Sequence, residues 1–366
     1  MSTESNPVQP TPGAGVRSHP PVVISMGDAA GIGPEIVAKA FRDAPDLLRG
    51  CVVAGDVAVL QRAARCVGGL LPVAVLDGLA DVGQVPPRCV PVVQACSGFA
   101  RVGEPHRPGL PAWGQVSAAA GGAAAECIAW GARAALSGRA AALVTAPVHK
   151  EALSAAGLPH PGHTEYLQAL AAEHQGCSVA DVPVRMMLAN PELRTVLVSI
   201  HVSLRQALDA VTFDNVLQTM RTVQSSLGSV STGAPPQRLR VAVAGLNPHA
   251  GEGGLFGREE LDVIAPAIAQ ARAEGIDAHG PFAPDTVFMR ARTGEFDVVV
   301  AMYHDQGLIP VKYLGVEHGV NVTLGLPMVR TSPDHGTAFD VAGTGRADPS
   351  SLLAAIRWAK GAVVRP

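Results

Sequence analysis

Aromatic side chains are scarce: three Trp, three Tyr and eight Phe make up 4% of the 366 residues. A core poor in rings has to be built from Ala, Val, Leu, Ile and Gly, and a hydrophobic fraction of 48% supplies ample material. Charge is thin too, at 16%, with 28 basic against 31 acidic residues and a net of −3. That balance excludes a protein held to nucleic acid by a basic stripe, and it leaves no polybasic patch for a membrane surface. No run reaches the roughly 20 apolar residues of a membrane span. The longest charge-free stretch, Pro108–Ala125, is broken by Pro111, Gln115, Gly121 and Gly122. The six cysteines (positions 51, 66, 89, 96, 127 and 177) form no CxxC pair, and the chain is not a small secreted one that would need a disulfide framework. The beginning of the chain has no apolar segment of the secretory kind. Residues 1–19, rich in Pro, Ser, Thr and Gly, are expected to form a disordered tail. Heptads, internal repeats, a P-loop, a GxSxG elbow and the kinase motifs are all missing. The expectation is a soluble, cytoplasmic globular protein.

What the chain does have is 40 Gly and 30 Pro, spread along its length as punctuation between short regular elements. Its length suggests two domains at roughly 100–200 residues each. Short β-branched runs alternate with turns and Ala-rich amphipathic segments. Strands are expected at Pro21–Met26, Cys51–Ala54, Ala141–Thr145, Val184–Leu188, Thr195–Ile200, Arg240–Ala244 and Asp297–Met302. Helices are expected at Pro34–Arg42, Gln115–Leu136, Leu204–Leu227 and Glu259–Glu274, and a loop at 228–237. This alternation predicts an α/β fold with a largely parallel sheet.

Ligands of open α/β sheets bind beyond the carboxyl ends of the strands. Four predicted strands end in histidine: AALVTAP leads to His149 and Lys150, TVLVSI to His201, RVAVAGLNP to His249, and DVVVAMY to His304 and Asp305. Imidazole is a common ligand for a divalent ion, so His201, His249 and His304 are candidates for a metal site with positions left for substrate. A bound ion lowers the pKa of a hydroxyl, which suits oxidation of an alcohol. The alternative is that one or two of them are orienting or catalytic groups without a metal.

Met26-Gly-Asp-Ala-Ala-Gly-Ile-Gly-Pro-Glu35 follows a strand and opens a helix, with Pro34 fitting the first turn. Gly31 and Gly33 could admit an anion to the positive helix end, or they could simply close a tight turn. A Rossmann reading, with Asp56 as the ribose carboxylate, fails on spacing: the motif is GxxxGxG, not GxGxxG. Asn247–Gly254 is a second polar, glycine-dense loop. His163 and Thr164 open a helix, and Lys312 and Arg330 flank the Gly319–Gly325 segment. A Lys with an Arg suits a phosphorylated substrate.

Longer stretches carry a family resemblance: MGDAAGIGPEI, TAPVHKEAL, GHTEYL, GLNPHAGEGG, PDTVF, AMYHDQG and GVNVTLGLPMVRTSPDHGTAFDVAGTGRADP. Through these, from Pro21 onward, the chain resembles the 4-hydroxythreonine-4-phosphate dehydrogenase family, including its relatives acting on 4-phospho-D-threonate and 4-phospho-D-erythronate. The resemblance implies an isocitrate/isopropylmalate-dehydrogenase-like fold with an active-site cleft between two α/β lobes. Residues 20–155 plus 325–366 would form the lobe on the NAD side, and 156–324 the lobe with metal, substrate and dimer contacts. It implies NAD held by the loop His335, Gly336, Thr337 through Asp340, with Gly31, Gly33, Asn247 and Glu252 also on the cofactor side. One divalent ion (Zn, Mg, Mn or Co) would bind His201, His249 and His304. The substrate would meet His163, Thr164, Lys312, Asn321 and Arg330. Lys312, Asp285 and Asp305 are the candidates for proton handling, the two aspartates alternatively as orienting carboxylates. A homodimer with a shared active site is implied. So is oxidation of the substrate's C3 hydroxyl followed by loss of the carboxyl group.

Two features separate this chain within the pattern. Ala29 stands where the first glycine turn of the family commonly has proline. Ile309-Pro310-Val311-Lys312 and the DTVFMRAR run resemble the threonate/erythronate branch, which is therefore the expected substrate class. The vitamin B6 branch is the alternative, and a phosphate acyltransferase of similar fold the remote one.

Overall fold

The computed structural model describes residues 20–99, 109–160, 162–228 and 239–364. The expected tail at 1–19, and the expected loop beyond Gly228, lie outside the described residues. The first part of the chain runs β1 (Val22–Ser25), α1 (Gly33–Asp43), β2 (Cys51–Gly55), α2 (Val57–Cys66), β3 (Val73–Leu76), β4 (Val90–Gln94), α3 (Ala118–Leu136), β5 (Ala142–Thr145) and α4 (Lys150–Ala155). There follow α5 (His163–Gln175), β6 (Arg185–Ala189), β7 (Arg194–Leu197), α6 (Leu204–Ala210), α7 (Phe213–Gly228), β8 (Val241–Ala244) and α8 (Ala265–Ala273). The last part holds β9 (Ala278–Phe282), α9 (Pro284–Arg292), β10 (Val298–Ala301), α10 (His304–Tyr313), β11 (Val320–Leu324), β12 (Val329–Pro333) and α11 (Ser350–Val364).

All twelve strands join one sheet in the order β3-β4-β2-β1-β5-β12-β11-β6-β7-β10-β8-β9. The sheet is largely parallel, as expected, but its centre is antiparallel. β11 runs antiparallel to both β12 and β6, and β6 antiparallel to β7, while the outer blocks are parallel. Strand direction therefore reverses between the two blocks. The β-branched runs of β1, β2, β5 and β10 are buried along their whole length, as strands covered on both faces must be. The expected helix Leu204–Leu227 is two helices: the chain turns at Val211–Thr212, where the Thr212 hydroxyl accepts from the Asn215 amide. Glu259–Glu274 likewise opens with a π turn at Glu260–Ile264 before α8.

The core is the predicted one of small aliphatics, and it depends on close backbone approach. In α3, a Cβ on Gly121 would overlap the Ala152 carbonyl of α4. One buried ion pair also shapes the end of the chain. The fully buried Glu35 accepts from the amides of Gly343 and Ala347, and Lys39 donates to the carbonyls of Gly345 and Ala347. Asp56, rejected above as a ribose ligand, is wholly buried. It caps α2 through the Val59 amide and accepts from Phe99 and Gln94.

Helical Gly→Ala normally stabilises by up to about 1 kcal/mol. Gly122, whose added Cβ meets only the Ala156 Cβ at 3.8 Å, should follow that rule. Gly121→Ala should reverse it, destabilising by about 1–3 kcal/mol through overpacking. Urea midpoints of the two single variants read out the opposite signs.

Candidate functional site

A cleft of about 780 Å³ lies over the four central strands, lined by Thr145 of β5, Arg330 and Ser332 of β12, Asn321 of β11 and Met186 of β6. Because strand direction reverses at β11, the carboxyl ends of β5 and of the β7–β10 pair approach this cleft from opposite sides. The first brings Pro147, Val148 and Lys150, the second His201 and His304. Period-two alternation decides which residues face it. Arg330 and Ser332 line the cleft, while Thr331 between them donates its hydroxyl to Ala355 of α11 on the other face.

Arg330 is 3% exposed and donates to the hydroxyls of Thr323 and Thr145 at 2.8 and 2.7 Å. Its Nε has no partner, and among the described residues no carboxylate pairs with it. Burial lowers its pKa to about 10. His163, at the start of α5, is pushed down to about 3 by burial and by the Arg330 cation. The ring hydrogen-bonds to the Ala146 backbone, and Nε2 is left without a partner. The substrate candidates His163, Thr164, Lys312, Asn321 and Arg330 thus share one cleft. A buried cation beside a neutral imidazole and free hydroxyls is a receptor for an anion.

Two of the three metal candidates meet. The rings of His201 and His304 lie 5.6 Å apart between centroids, at 44°. Burial, Lys150 and His304 together depress the His201 pKa. His304 turns Nδ1 to the Asp305 carboxylate at 2.8 Å, leaving Nε2 for a ligand. Asp305 is thereby an orienting carboxylate for His304. His249 does not join them; among the described residues no cluster of three potential ligands forms. It sits on the 247–257 loop, where Nδ1 lies 3.1 Å from Glu252 and the ring meets Phe256 edge-on. That loop is anchored by Glu260, which accepts from the amides of Leu246 and Asn247 and from the Asn247 side chain. His201 and His249 both adopt left-handed φ, 47° and 52°, an uncommon conformation for residues with a Cβ. Asp285 is exposed on α9, which packs on the His249 loop, and it does not line the cleft.

The cofactor candidates divide similarly. His335 and Gly336 line the cleft, and Gly336 has open space where a Cβ would be. Asp340 is exposed at the far end of that loop. Gly31 and Gly33 are buried instead. A Cβ on Gly31 would come within 2.9 Å of Thr337, and one on Gly33 within 2.5 Å of the Met26 carbonyl. The Ile32 amide donates to the Thr337 carbonyl. Gly31 supports the 335–340 loop from beneath and Gly33 closes the turn on the Met26 carbonyl, the tight-turn alternative considered above. Asn247 and Glu252 stand on the His249 loop, outside the cleft.

Sequence reasoning missed Thr145, Thr323, Glu165 and Asp334. Asp334 and Lys312 form an ion pair at 3.0 Å. The alternation of β12 was the available signal for Asp334, since it places residues 330, 332 and 334 on one face.

Over 342 residues, 93% of this chain and 94% of the relative, the sequence is 51% identical to a Beijerinckia indica protein named 4-hydroxythreonine-4-phosphate dehydrogenase. It is 43% identical, over 92% of this chain and 97% of the relative, to a Salmonella typhimurium protein named D-threonate 4-phosphate dehydrogenase. Among solved structures, a 4-hydroxythreonine-4-phosphate dehydrogenase from Klebsiella pneumoniae superposes with a TM-score of 0.80 at 38% identity, covering 94% of this chain and 99% of that one. The α/β fold expected from the strand and helix pattern is thus the fold of these dehydrogenases. The family described as pyridoxal phosphate biosynthetic protein PdxA matches residues 48–359; the chain belongs to that family and is a dehydrogenase.

Proposed function

We propose that the protein oxidises the C3 hydroxyl of a four-carbon 3-hydroxy acid phosphorylated at C4, using NAD and a divalent ion, and that the 3-keto acid then loses its carboxyl group. The observation that carries this reading is the buried Arg330, with its unpartnered Nε, on the floor of a cleft that also holds His201 and His304. Arg330 and Lys312 would neutralise the substrate's anionic groups, while His163, Thr164 and Asn321 would fix its orientation by hydrogen bonds. His163 stays neutral at physiological pH, so it adds direction without charge. Lys312 is the group placed to return a proton after carbon dioxide leaves.

The cofactors fit the residues present. His201 and His304, with Asp305 orienting the latter, would hold the ion, and His249 of a second copy would complete its ligands. The bound ion supplies a Lewis acid that lowers the pKa of the substrate hydroxyl, and NAD at the His335–Asp340 loop supplies the hydride acceptor. A homodimer is supported by the surroundings of His249. The exposed apolar side chains Leu255, Phe256, Leu261 and Met289 stand on its own loop or on the elements packed against it, the kind of patch that marks an association surface. In this reading residues 20–155 with 325–366 form one lobe and 156–324 the other, meeting where β12 pairs with β11.

At C2 a hydroxyl, as in 4-phospho-D-threonate or 4-phospho-D-erythronate, is favoured by the Ile309–Lys312 run. An amino group, as in 4-phosphohydroxy-L-threonine, is favoured by the 51% identical relative. Purified protein given NAD, Mg, Mn or Zn, and each acid in turn should produce NADH with at least one of them. The larger kcat/KM ranks the two readings, and silence across the whole panel would overturn both.

Mixing an inactive His249→Ala chain with an inactive His201→Ala chain should restore part of the activity and of the metal content, because one site of a mixed dimer then keeps all three imidazoles. Strictly additive inactivity, with mixed dimers demonstrated, would place the three ligands within one chain.

His163 also predicts a pH effect. Its folded pKa of about 3 lies below the ordinary 6.5, so the unfolded chain takes up the proton first as pH falls. The stability contributed by neutral His163 is complete above pH 6.5 and is lost progressively toward pH 3. His163→Gln should therefore show a smaller fall in Tm between about pH 7 and 4.5 than the unchanged protein, read by thermal unfolding.

A further inference from the structure

Lys312 reaches the cleft from the last turn of α10, and the charge beside it runs against anion binding. Asp334 lies just beyond β12, with its side chain 8% exposed, and its Oδ2 is 3.0 Å from Lys312 Nζ. That oxygen is buried and makes no aligned hydrogen bond. The rest of the residue is held firmly. Its amide donates to Ser351 Oγ at 3.0 Å, and the Ser351 hydroxyl donates to the Gly319 carbonyl at 2.7 Å. Both ends of this support are buried against α11.

If Lys312 served only as positive charge for a phosphorylated acid, a carboxylate against it would cancel the gain and repel the ligand. Arg330, which no carboxylate meets among the described residues, already provides the anion receptor. The pairing instead suits a group whose position matters more than its charge. An ammonium on a four-carbon stem has many rotamers to lose, and a fixed carboxylate at one end selects among them. The remaining two N–H groups stay available to the cleft, where the Lys312 side chain is 40% exposed.

We propose that Asp334 is a positioning residue for Lys312, holding its ammonium at the cleft wall so that it can deliver a proton to the reacting substrate. This rests on the proposed function, in which Lys312 is the proton donor. It predicts that Asp334 acts on turnover and not on affinity, and only through Lys312.

The test is a double-mutant cycle assayed with NAD, Mn and whichever phosphorylated acid the unchanged protein turns over. Asp334→Asn should lower kcat at least tenfold while KM moves less than about threefold. In a Lys312→Met background the same substitution should change kcat less than twofold. Losses that multiply in the double variant would overturn the inference, as would a rise in KM with kcat intact, which would make Asp334 a direct substrate contact. Asp334→Glu, which keeps the charge, takes the place of Asn in the same cycle if Asn prevents folding. The failures are distinguishable. An inactive unchanged protein sinks the dehydrogenase substrate reading and this inference together. Full activity of Lys312→Met removes Lys312 from catalysis, and independent effects in the cycle remove only the link to Asp334.

Discussion

The buried guanidinium of Arg330 is the constraint around which the site is arranged. Removing a charge from water costs several kcal/mol unless it is paired. Here the described surroundings answer it with two threonine hydroxyls from the neighbouring strands β5 and β11. Uncharged acceptors take two of its hydrogen bonds without neutralising it, Nε is left unpartnered, and the cost appears as a pKa lowered to about 10. Burial, and after it the Arg330 cation, depresses His163. A carboxylate in place of Thr145 or Thr323 would relieve that cost and fill the position a ligand anion has to take. Arg330 is thus held in place without a direct ion pair among the described residues, with Glu165 as a more distant carboxylate in the same cleft.

That arrangement depends on the reversal of strand direction at the centre of the sheet. In a wholly parallel sheet the ligand-bearing loops would all leave from one edge. Here one parallel block ends on one side of the central strands and the other block on the opposite side. The faces of β12, β11 and β6 between them become the floor, which carries Arg330, and the paired imidazoles stand on the side where β7 and β10 end. Lys312 and Asp334, contributed by different blocks, close across the gap.

How much of this could be read from the chain depended on which signal each element carried. Most of the strands that were predicted are β-branched runs buried on both faces, such as Val298–Ala301. Of those that were missed, β3 is a short Val-Ala-Val-Leu run left half-exposed, and most of the others are interrupted. β4 contains Pro91, β9 contains Gly280 and Pro281, and β12 carries Arg330 and Pro333 among its five residues. β11, Val-Asn-Val-Thr-Leu, alternates cleanly between a core face and a cleft face, but the glycines flanking it drew attention to loop chemistry. The antiparallel centre was invisible for the same reason, since it is built from these polar strands. Candidate residues for the cleft were easier to nominate, because imidazole, lysine and arginine at strand ends have few structural uses. Glycine was the misleading signal. Gly31 and Gly33 stand in a strand-to-helix turn that could admit an anion, yet the groups that come close to them belong to Thr337 and Met26. Which close approach a glycine serves is decided in three dimensions.

The separation of His249 from His201 and His304 has a consequence of its own. All three follow adjacent parallel strands in the order β7-β10-β8, so nothing in the topology prevents them from converging. What keeps His249 apart is its loop. Left-handed φ values at residues 249–253 and the Glu260 anchor lead the backbone outward, into the exposed set that includes Leu255 and Phe256. Such strain costs of order 1–3 kcal/mol at each of the non-glycine residues His249, Ala250 and Glu252, and it presents an imidazole and an apolar surface at the same place. If that surface is covered by a second copy whose cleft receives His249, ion binding and association become one linked equilibrium: each ion bound favours the dimer by the same factor by which dimerisation favours the ion. The strained loop would then stabilise assembly through the metal, and its cost in the isolated chain would be recovered only when two chains meet.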